Sequence, residues 1–223
     1  SKVIQEFLKL KTMRFKCKNT SENGCQETLD EEAMILHETE CIYRLVKCPY
    51  IGCESEVPFR FHELFQHMEV NKQFWIHKGL KEIKCKISEL HLDSGKFCTT
   101  PCKIDFDAKT FFSIFRAKKG VFCHWIHFLG SSIEAKKYAY TLEYNNDVNE
   151  CKMGKLTFTG QVVPIDETAD SIQADHNCLS VTFGFFKSHF INKDRKFIYS
   201  VKIRNLKEEA KDENVESGIS DNE

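Results

Sequence analysis

The sequence predicts a mainly β protein in which two small Cys/His zinc fingers precede an antiparallel β-sandwich. Five of the 11 cysteines fall within the first 53 residues, where they are interleaved with histidine. Short segments with period-two alternation of apolar side chains follow between residues 78 and 206. An apolar content of 41%, with 19 phenylalanines, supplies enough large side chains for a core of that size.

Charge and hydropathy exclude several other classes of protein. The net charge of −1 argues against a chain-wide basic surface that wraps nucleic acid. No apolar run approaches the 18 residues that a membrane-spanning helix needs. Because the cysteines cluster with histidine, we expect metal ligation rather than disulfides, and hence a reducing compartment.

The two ends of the chain differ from its middle. Residues 1–15 have apolar side chains at helical spacing and are predicted to form a short amphipathic linker helix without the apolar centre of a signal peptide. The chain begins at Ser1 rather than methionine, so we expect a fragment or a processed form. Residues 207–223 are charged and almost free of large apolar groups, which predicts a disordered acidic tail.

The first zinc site is predicted from Cys17, Cys25, His37 and Cys41. Seven residues separate the first two ligands, and three separate the last two. His37 and Cys41 are therefore one helical turn apart and point the same way from a helix, which the acidic residues 30–32 would open. Four protein ligands leave no open coordination position, so the site is expected to be structural. The alternative is a chance group of unpaired surface cysteines.

The second zinc site begins with Cys48 and Cys53, which have four residues between them. In the predicted helix that follows, His67 is the better third ligand. His62 is more simply a solvated helix residue. His77 is our candidate for the fourth ligand, although membership of the following segment explains it equally well. Residues 16–77 thus form the predicted tandem-finger region.

The strands of the sandwich are predicted by alternation. In KKYAYTLEY one face carries four large apolar side chains, and KFIYSVKI repeats the pattern. GVFCHWIHFLG, KLTFTG and TFFSIFRAKKG are predicted to add three strands. Turns are expected at residues 119–120, 130–132 and 145–147, and helical turns at residues 132–137 and 166–175. This spacing of short strands and turns favours a sandwich over residues 78–206.

At this point the sequence resembles a known family. FKCKNTSENGC, LHETECIYRLVKCPYIGC and VPFRFHELFQHM resemble the paired zinc fingers of seven-in-absentia-type (SIAH-type) ubiquitin ligases. YAYTLEY, LTFTGQVVPIDE, NCLSVTFGFF and KFIYSVKI resemble the TRAF-like β-sandwich that follows those fingers. EFLKLKTMRFKC resembles the segment that joins the family's RING domain to its first finger. The resemblance runs from about residue 12 to residue 204.

This resemblance implies two structural Zn²⁺ ions and a sandwich that binds protein substrates and forms a homodimer. It makes the chain the substrate-binding part of an E3 ubiquitin ligase in ubiquitin-dependent protein degradation, located in the cytoplasm and also the nucleus. The RING that recruits the E2 enzyme would lie before residue 1, and no residue of this chain is expected to be catalytic. The alternative is a RING-less adaptor or scaffold that binds partners or self-associates without a ligase role.

Two departures from the family pattern affect the site residues. The family's second finger closes with two histidines about four residues apart, whereas this chain has Lys72 five positions after His67. The family's substrate peptides pair with an exposed sandwich strand, and the matching stretch here is CKIDFDA. Ile104 and Phe106 are the resulting candidates for peptide contact, although a place in the sandwich core is the favoured explanation for both.

Other groups of polar residues carry weaker signals. His124 and His127 fall on opposite faces of a predicted strand, so we expect satisfied strand histidines rather than a metal site. Nucleic-acid binding is disfavoured because acidic residues open the first finger helix, and no pattern of a Cys–His protease is present. A third zinc site is conceivable, but ordinary reduced thiols explain its residues better: Cys85, His91, Cys98 and Cys102.

Overall fold

The computed structural model describes residues 13–22, 24–50, 53, 55, 57–70, 75–78, 82–87, 97–98, 102–145 and 154–207. The chain divides into two compact units, one formed by the elements up to Val70 and one by the elements from Trp75 onward. In the described part of the chain, no helix is long and apolar enough to cross a membrane.

The amino-terminal unit repeats one small motif, a two-stranded ribbon followed by a ten-residue helix. The first copy has β1 (Phe15–Lys16) antiparallel to β2 (Thr28–Leu29), then α1 (Glu31–Glu40). The second copy has β3 (Leu45–Val46) antiparallel to β4 (Phe59–Arg60), then α2 (Phe61–Val70). Because Phe15 already lies in β1, the predicted linker helix does not extend to residue 15, and its residues 1–12 lie outside the described part of the chain.

Helix α1 begins where the acidic residues predict. The Asp30 side chain accepts a hydrogen bond from the backbone N–H of Ala33 at 3.0 Å, which makes Asp30 the N-cap. Glu31 and Glu32 follow in the first turn, where negative charge is favourable. The helix ends at Glu40, so Cys41 is its C-cap residue and His37 lies in its last turn.

The carboxyl-terminal unit is a sandwich of two sheets. The large sheet has the order β13-β10-β9-β8-β5, with β14 paired to β10 and β7 paired to β9. Its strands are β5 (Trp75–Lys78), β7 (Phe97–Cys98), β8 (Cys102–Phe106), β9 (Lys109–Lys118), β10 (Val121–Phe128), β13 (Val163–Pro164) and β14 (Leu179–Thr182). The small sheet has the order β12-β11-β15-β6. Its strands are β6 (Glu82–Ile87), β11 (Tyr138–Asn145), β12 (Lys155–Gln161) and β15 (Phe197–Asn205).

Most strand pairs of the sandwich are antiparallel, as predicted. The two exceptions in the described strands are β5 with β8 and β10 with β13, which pair in parallel. The predicted turn at Lys119 and Gly120 joins β9 to β10, and both residues adopt positive φ, of 53° and 77°. Gly120 tolerates this left-handed conformation without a Cβ penalty, which explains the tight hairpin.

The core of the sandwich lies between the two sheets. The alternating residues of β11 and β15 enter it as predicted, and all eight are at most 3% exposed: Tyr138, Tyr140, Leu142, Tyr144, Phe197, Tyr199, Val201 and Ile203. Strand β10 is buried on both faces, because Phe122 and Ile126 enter this core while Trp125 lies on the opposite face. The outer face of the large sheet also holds Arg116, whose guanidinium donates to the Ala169 carbonyl oxygen and to the Asp170 carboxylate.

The described residues of the sandwich unit include three helices. α3 (Ser132–Ala135) and α4 (Ala169–Ala174) fall within the segments predicted to hold helical turns. α5 (Phe183–Phe190) was not predicted. Its phenylalanines at positions 183, 186 and 190 enter the sandwich core, and the Thr182 side chain caps its first turn. Of the predicted turn at residues 145–147, only Asn145 lies in the described part of the chain.

Candidate metal centres

The first finger brings its four predicted ligands together. One ligand atom from each of Cys17, Cys25, His37 and Cys41 lies within 4.8 Å of the others. The Sγ of Cys25 is 3.2 Å from Nε2 of His37, and the Sγ atoms of Cys17 and Cys41 are 3.8 Å apart. All three cysteines are buried, and His37 is half-buried. The structure therefore places these four side chains in one group, which is compatible with metal binding.

The local backbone explains why these sulfurs converge. The N–H groups of Asn19 and Glu27 each donate to the Sγ two positions earlier, at 3.5 Å. Helix α1 supplies the other two ligands from its last turn and its C-cap. Lys18 connects the loop to the helix, since its N–H and its ammonium group both contact the Glu38 carboxylate, at 2.9 Å and 3.1 Å.

The donor set fits a zinc ion. Three thiolates and one imidazole are ligands that Zn²⁺ accepts in a closed tetrahedral site, and the backbone N–H groups that point at the sulfurs stabilise thiolate charge. Without a cation, burial raises the pKa of the Cys25 thiol to about 11. A bound divalent cation would hold this sulfur as a thiolate and would satisfy the buried charge.

The second finger brings three predicted ligands together. Ligand atoms of Cys48, Cys53 and His67 lie within 4.8 Å of one another, and all three residues are half-buried. Helix α2 carries His67, and the ring of Phe59 stacks on its imidazole with centroids 3.9 Å apart. This contact fixes the orientation of the imidazole in the group.

Of the two other candidate histidines of the second finger, one lies outside the cluster and the other has a side chain that the structure does not describe. Nδ1 of His62 is 2.9 Å from the carbonyl oxygen of Ile42, and its Nε2 is 3.8 Å from the Glu63 carboxylate, so His62 is a helix residue outside the cluster. His77 lies in β5, but the side chains of that strand are outside the described part of the structure. Lys72 also lies outside it. The fourth ligand therefore stays a prediction for His77.

Sequence reasoning missed Arg44. The Arg44 side chain is buried, although arginine is usually exposed and this residue directly follows the first finger. Nη1 of Arg44 donates to the carbonyl oxygen of Cys41 at 3.1 Å, and its guanidinium lies 3.8 Å from the ring centroid of Phe61. Arg44 thus connects the last ligand of the first finger to the start of helix α2. Arg44 lies between the ligands Cys41 and Cys48, and nothing in that segment of the sequence indicates a buried arginine.

The polar residues of the sandwich core form a closed network. The Oγ of Ser113 is 2.7 Å from Nε2 of His124 and 3.1 Å from the hydroxyl of Tyr199, and Nδ1 of His124 bonds to the hydroxyl of Tyr144. All four residues are at most 1% exposed, so no substrate reaches them. On the other face of β10, Nδ1 of His127 lies 3.0 Å from the carbonyl oxygen of Pro164. Both strand histidines are satisfied, as predicted.

The candidate peptide-contact residues lie in or against the core. Ile104 is 1% exposed, and Phe106 is half-buried and packs against the core. Strand β8 pairs with β9 on one side and with β5 on the other. Because both edges of β8 are paired, this strand does not offer the open edge that peptide addition requires. The placement favours the core role of Ile104, and peptide contact by Phe106 stays a prediction.

The candidate third zinc site is incomplete in the described structure. The thiols of Cys85 and Cys102 meet in the sandwich core, with their Sγ atoms 3.6 Å apart. The side chain of Cys98 and the whole of His91 lie outside the described part of the chain. Among the described residues, this pair belongs to no group of three metal-ligating side chains.

Comparison with known proteins shows what the sandwich is similar to. Residues 106–204 match the family described as Sina, TRAF-like domain. The chain is 25% identical over 124 residues to E3 ubiquitin-protein ligase DIS1 of Oryza sativa subsp. japonica, which covers 54% of this chain and 41% of that protein. It is also 25% identical over 136 residues to E3 ubiquitin-protein ligase SINAT3 of Arabidopsis thaliana, covering 59% of this chain and 41% of that protein.

The chain therefore spans about two fifths of the length of the curated relatives that it matches. The family match begins in β8 and ends in β15, so it covers most of the sandwich whose strands were predicted from alternation. The Cys/His groups ahead of it contain the four residues expected for the first finger and three of the four expected for the second. Residues 106–204, which form most of the observed sandwich, are thus similar to the Sina TRAF-like domain.

Proposed function

We propose that this chain is the substrate-recognition part of a Sina-type E3 ubiquitin ligase that acts in ubiquitin-dependent protein degradation. The Sina TRAF-like domain over residues 106–204 is the observation that carries this proposal. The names of the relatives as E3 ubiquitin-protein ligases support it.

The proposed mechanism is tethering. The sandwich holds a target protein, and a RING domain outside these 223 residues binds the E2 that carries ubiquitin. Holding both proteins on one molecule raises the effective concentration of the target lysine near the E2, so transfer accelerates without a catalytic residue in this chain. Homodimerisation through the sandwich would double the number of target sites per molecule.

We propose Zn²⁺ as the metal of both fingers. The first finger supplies a complete set of four ligands, and the second supplies three in the described structure. When bound, each ion would contribute folding free energy to a unit whose described secondary structure is two ribbons and two helices. Cys17, Cys25, His37 and Cys41 would hold the first ion, and Cys48, Cys53, His67 and His77 the second.

Affinity capture from cells with the whole 223-residue chain tests the binding role. The matched variants are Leu142→Asp, which places a charge in the sandwich core, and Cys25→Ser, which removes a finger ligand. We expect a set of proteins that the wild-type chain and Cys25→Ser capture and Leu142→Asp does not. Capture that Leu142→Asp retains would contradict recognition by the sandwich.

The adaptor alternative predicts a different second result. If captured proteins bind the sandwich but never gain ubiquitin when the protein is supplied with E1, E2 and ubiquitin in its full-length form, the chain serves as a scaffold. Ubiquitin conjugation that depends on Leu142 would support the ligase role.

A further inference from the structure

Two cysteines outside the fingers meet between the sheets of the sandwich. Cys85 lies on β6 in the small sheet, and Cys102 lies on β8 in the large sheet. Their Sγ atoms are 3.6 Å apart, and the two residues are 5% and 4% exposed. Both cysteines are reduced in this structure. The contact therefore joins the two sheets through a pair of thiols, which are groups that can form a disulfide.

We propose that Cys85 and Cys102 form a redox-sensitive pair that closes to a disulfide and links the two sheets covalently. The sulfurs of a disulfide lie about 2.05 Å apart, so closure needs an approach of about 1.5 Å from the observed contact. Both side chains already enter the same core, so no change of strand face or register is required.

The surroundings of the pair favour Cys85 as the attacking sulfur. A hydrogen bond from the Cys102 thiol lowers the pKa of Cys85, burial opposes this, and a hydrogen bond from the Tyr199 hydroxyl lowers it further. The thiolate is the reactive form of cysteine. The pKa of Cys102 is raised by its hydrogen bond to Cys85 and by burial, so Cys102 stays protonated as the resolving thiol.

A peroxide is the oxidant that suits this buried position, because it is small. The Cys85 thiolate attacks one oxygen of hydrogen peroxide, the O–O bond breaks, and the departing hydroxide takes a proton to become water. Cys85 is then a sulfenic acid. The Cys102 sulfur attacks the Cys85 sulfur, the S–O bond breaks, and the leaving hydroxide takes the proton of the Cys102 thiol. Overall, two thiols and one peroxide give one disulfide and two waters.

Access to the pair comes from the edge of the small sheet. Among the described strands, β6 pairs only with β15, so it is the edge strand. Edge elements open locally at lower free energy than central strands. Local opening of β6 would break its pairing with β15 and expose Cys85, while β15 stays paired with β11. A metal-binding role is less well supported, since no third ligand joins the pair among the described residues.

The disulfide would close a loop between residues 85 and 102. Closing a loop of that size restricts the unfolded chain and stabilises the native state. For a domain of this size we expect the thermal midpoint to rise by roughly 5–10 °C on oxidation and to return on reduction.

The test uses the whole zinc-loaded chain, treated with a small excess of hydrogen peroxide while excess zinc protects the finger thiolates. Peptide mapping under non-reducing conditions is expected to recover Cys85 joined to Cys102, with a loss of two hydrogens. The thermal midpoint should rise, and dithiothreitol should reverse both changes. Cys85→Ser should abolish the cross-link and the shift, whereas Cys123→Ser, which changes another buried sandwich cysteine, should retain both.

Three outcomes would overturn the proposal. One is a cross-link that joins Cys102 to Cys98 instead of Cys85. Another is oxidation of Cys85 to sulfinic acid without a cross-link. The third is a Cys85–Cys102 disulfide that leaves the thermal midpoint unchanged. Because the mapping is read on the wild-type chain, it decides the matter even if a serine variant fails to fold.

Discussion

At the scale of single residues, the first finger depends on donors that lie close in sequence. Cys17, Cys25, His37 and Cys41 span 25 positions, and local structure alone brings them together. Their residue types and spacing were therefore sufficient to predict the group. Arg44 differs, because its buried contacts with the Cys41 carbonyl and the Phe61 ring depend on how the two ribbons pack.

Replacing Cys25 by serine should remove one zinc ion per chain. Serine is a poor ligand for Zn²⁺, and three remaining donors do not close the site. Elemental analysis of the purified chain should fall from about two zinc ions to about one. Both tryptophans, Trp75 and Trp125, lie in the sandwich unit, so the urea transition read by their fluorescence should stay in place. An unchanged zinc content would rule out Cys25 as a ligand.

The three histidines of the second finger make separate predictions. His67→Gln and His77→Gln should each lose the second zinc ion, because each removes a donor from a four-ligand site. His62→Gln should retain it, since His62 bonds to the Ile42 carbonyl and lies outside the cluster. Zinc retained by His77→Gln would mean that the fourth ligand is another group. Zinc lost by His62→Gln would contradict the described cluster.

At the scale of elements, alternation predicted the strands that bury one face. The large residues of β11 and β15 enter the core on alternate positions, so their sequence pattern was visible. Strand β10 was also predicted, but its burial on both faces was not. The parallel pairing of β5 with β8 joins residues 27 positions apart in sequence, and no local pattern specifies it.

Helix α5 shows why a short apolar run is ambiguous. Its phenylalanines at positions 183, 186 and 190 have helical spacing, yet the run follows directly on strand β14. Periodicity over eight residues does not separate a buried helix from a buried strand. The Thr182 cap was the signal that would have separated them, because a threonine side chain that accepts from the third following N–H marks a helix start.

Phe186 is expected to be the most important side chain of α5. It is fully buried and stacks on Phe122 with ring centroids 3.7 Å apart. Phe186→Ala should therefore lower the free energy of unfolding of the sandwich by about 3–5 kcal/mol. Urea denaturation followed by tryptophan fluorescence measures this. Phe185→Ala is the matched control, and its half-buried ring should cost clearly less; equal losses would contradict the packing of α5.

At the scale of the whole molecule, the two units serve different roles. The finger unit contains Cys17, Cys25, His37 and Cys41, and the sandwich unit contains the residues that match the Sina TRAF-like domain. The two units differ in residue pattern, with Cys/His pairs in the first and period-two alternation in the second. The contact of Cys85 with Cys102 was not predictable, since it arises only when two sheets pack face to face.

The sandwich should lose stability in mild acid. Burial lowers the pKa of His124 to about 3 and that of His127 to about 4, whereas both have a value near 6.5 in the unfolded chain. Above pH 6.5 both are neutral in either state, so the stability is fully present. Below pH 6.5 the unfolded chain takes up protons first, and stability falls towards pH 4.

At pH 5 the titration of the two histidines should lower the free energy of unfolding by about 4 kcal/mol relative to its value at neutral pH. Urea denaturation at several pH values, followed by tryptophan fluorescence, measures the slope. His127→Asn removes one titrating group, so it should roughly halve the slope whatever its effect at neutral pH. A slope that His127→Asn leaves unchanged would show that other groups dominate the acid response.

The most direct test of the central claim is the half-life of a protein that the sandwich captures. In cells that lack the full-length protein, this half-life should lengthen several-fold, and inhibition of the proteasome should lengthen it equally in normal cells. Restoring the wild-type protein should return the short half-life, whereas the Leu142→Asp variant should not. A captured protein whose half-life stays the same in every case would contradict a role in ubiquitin-dependent degradation.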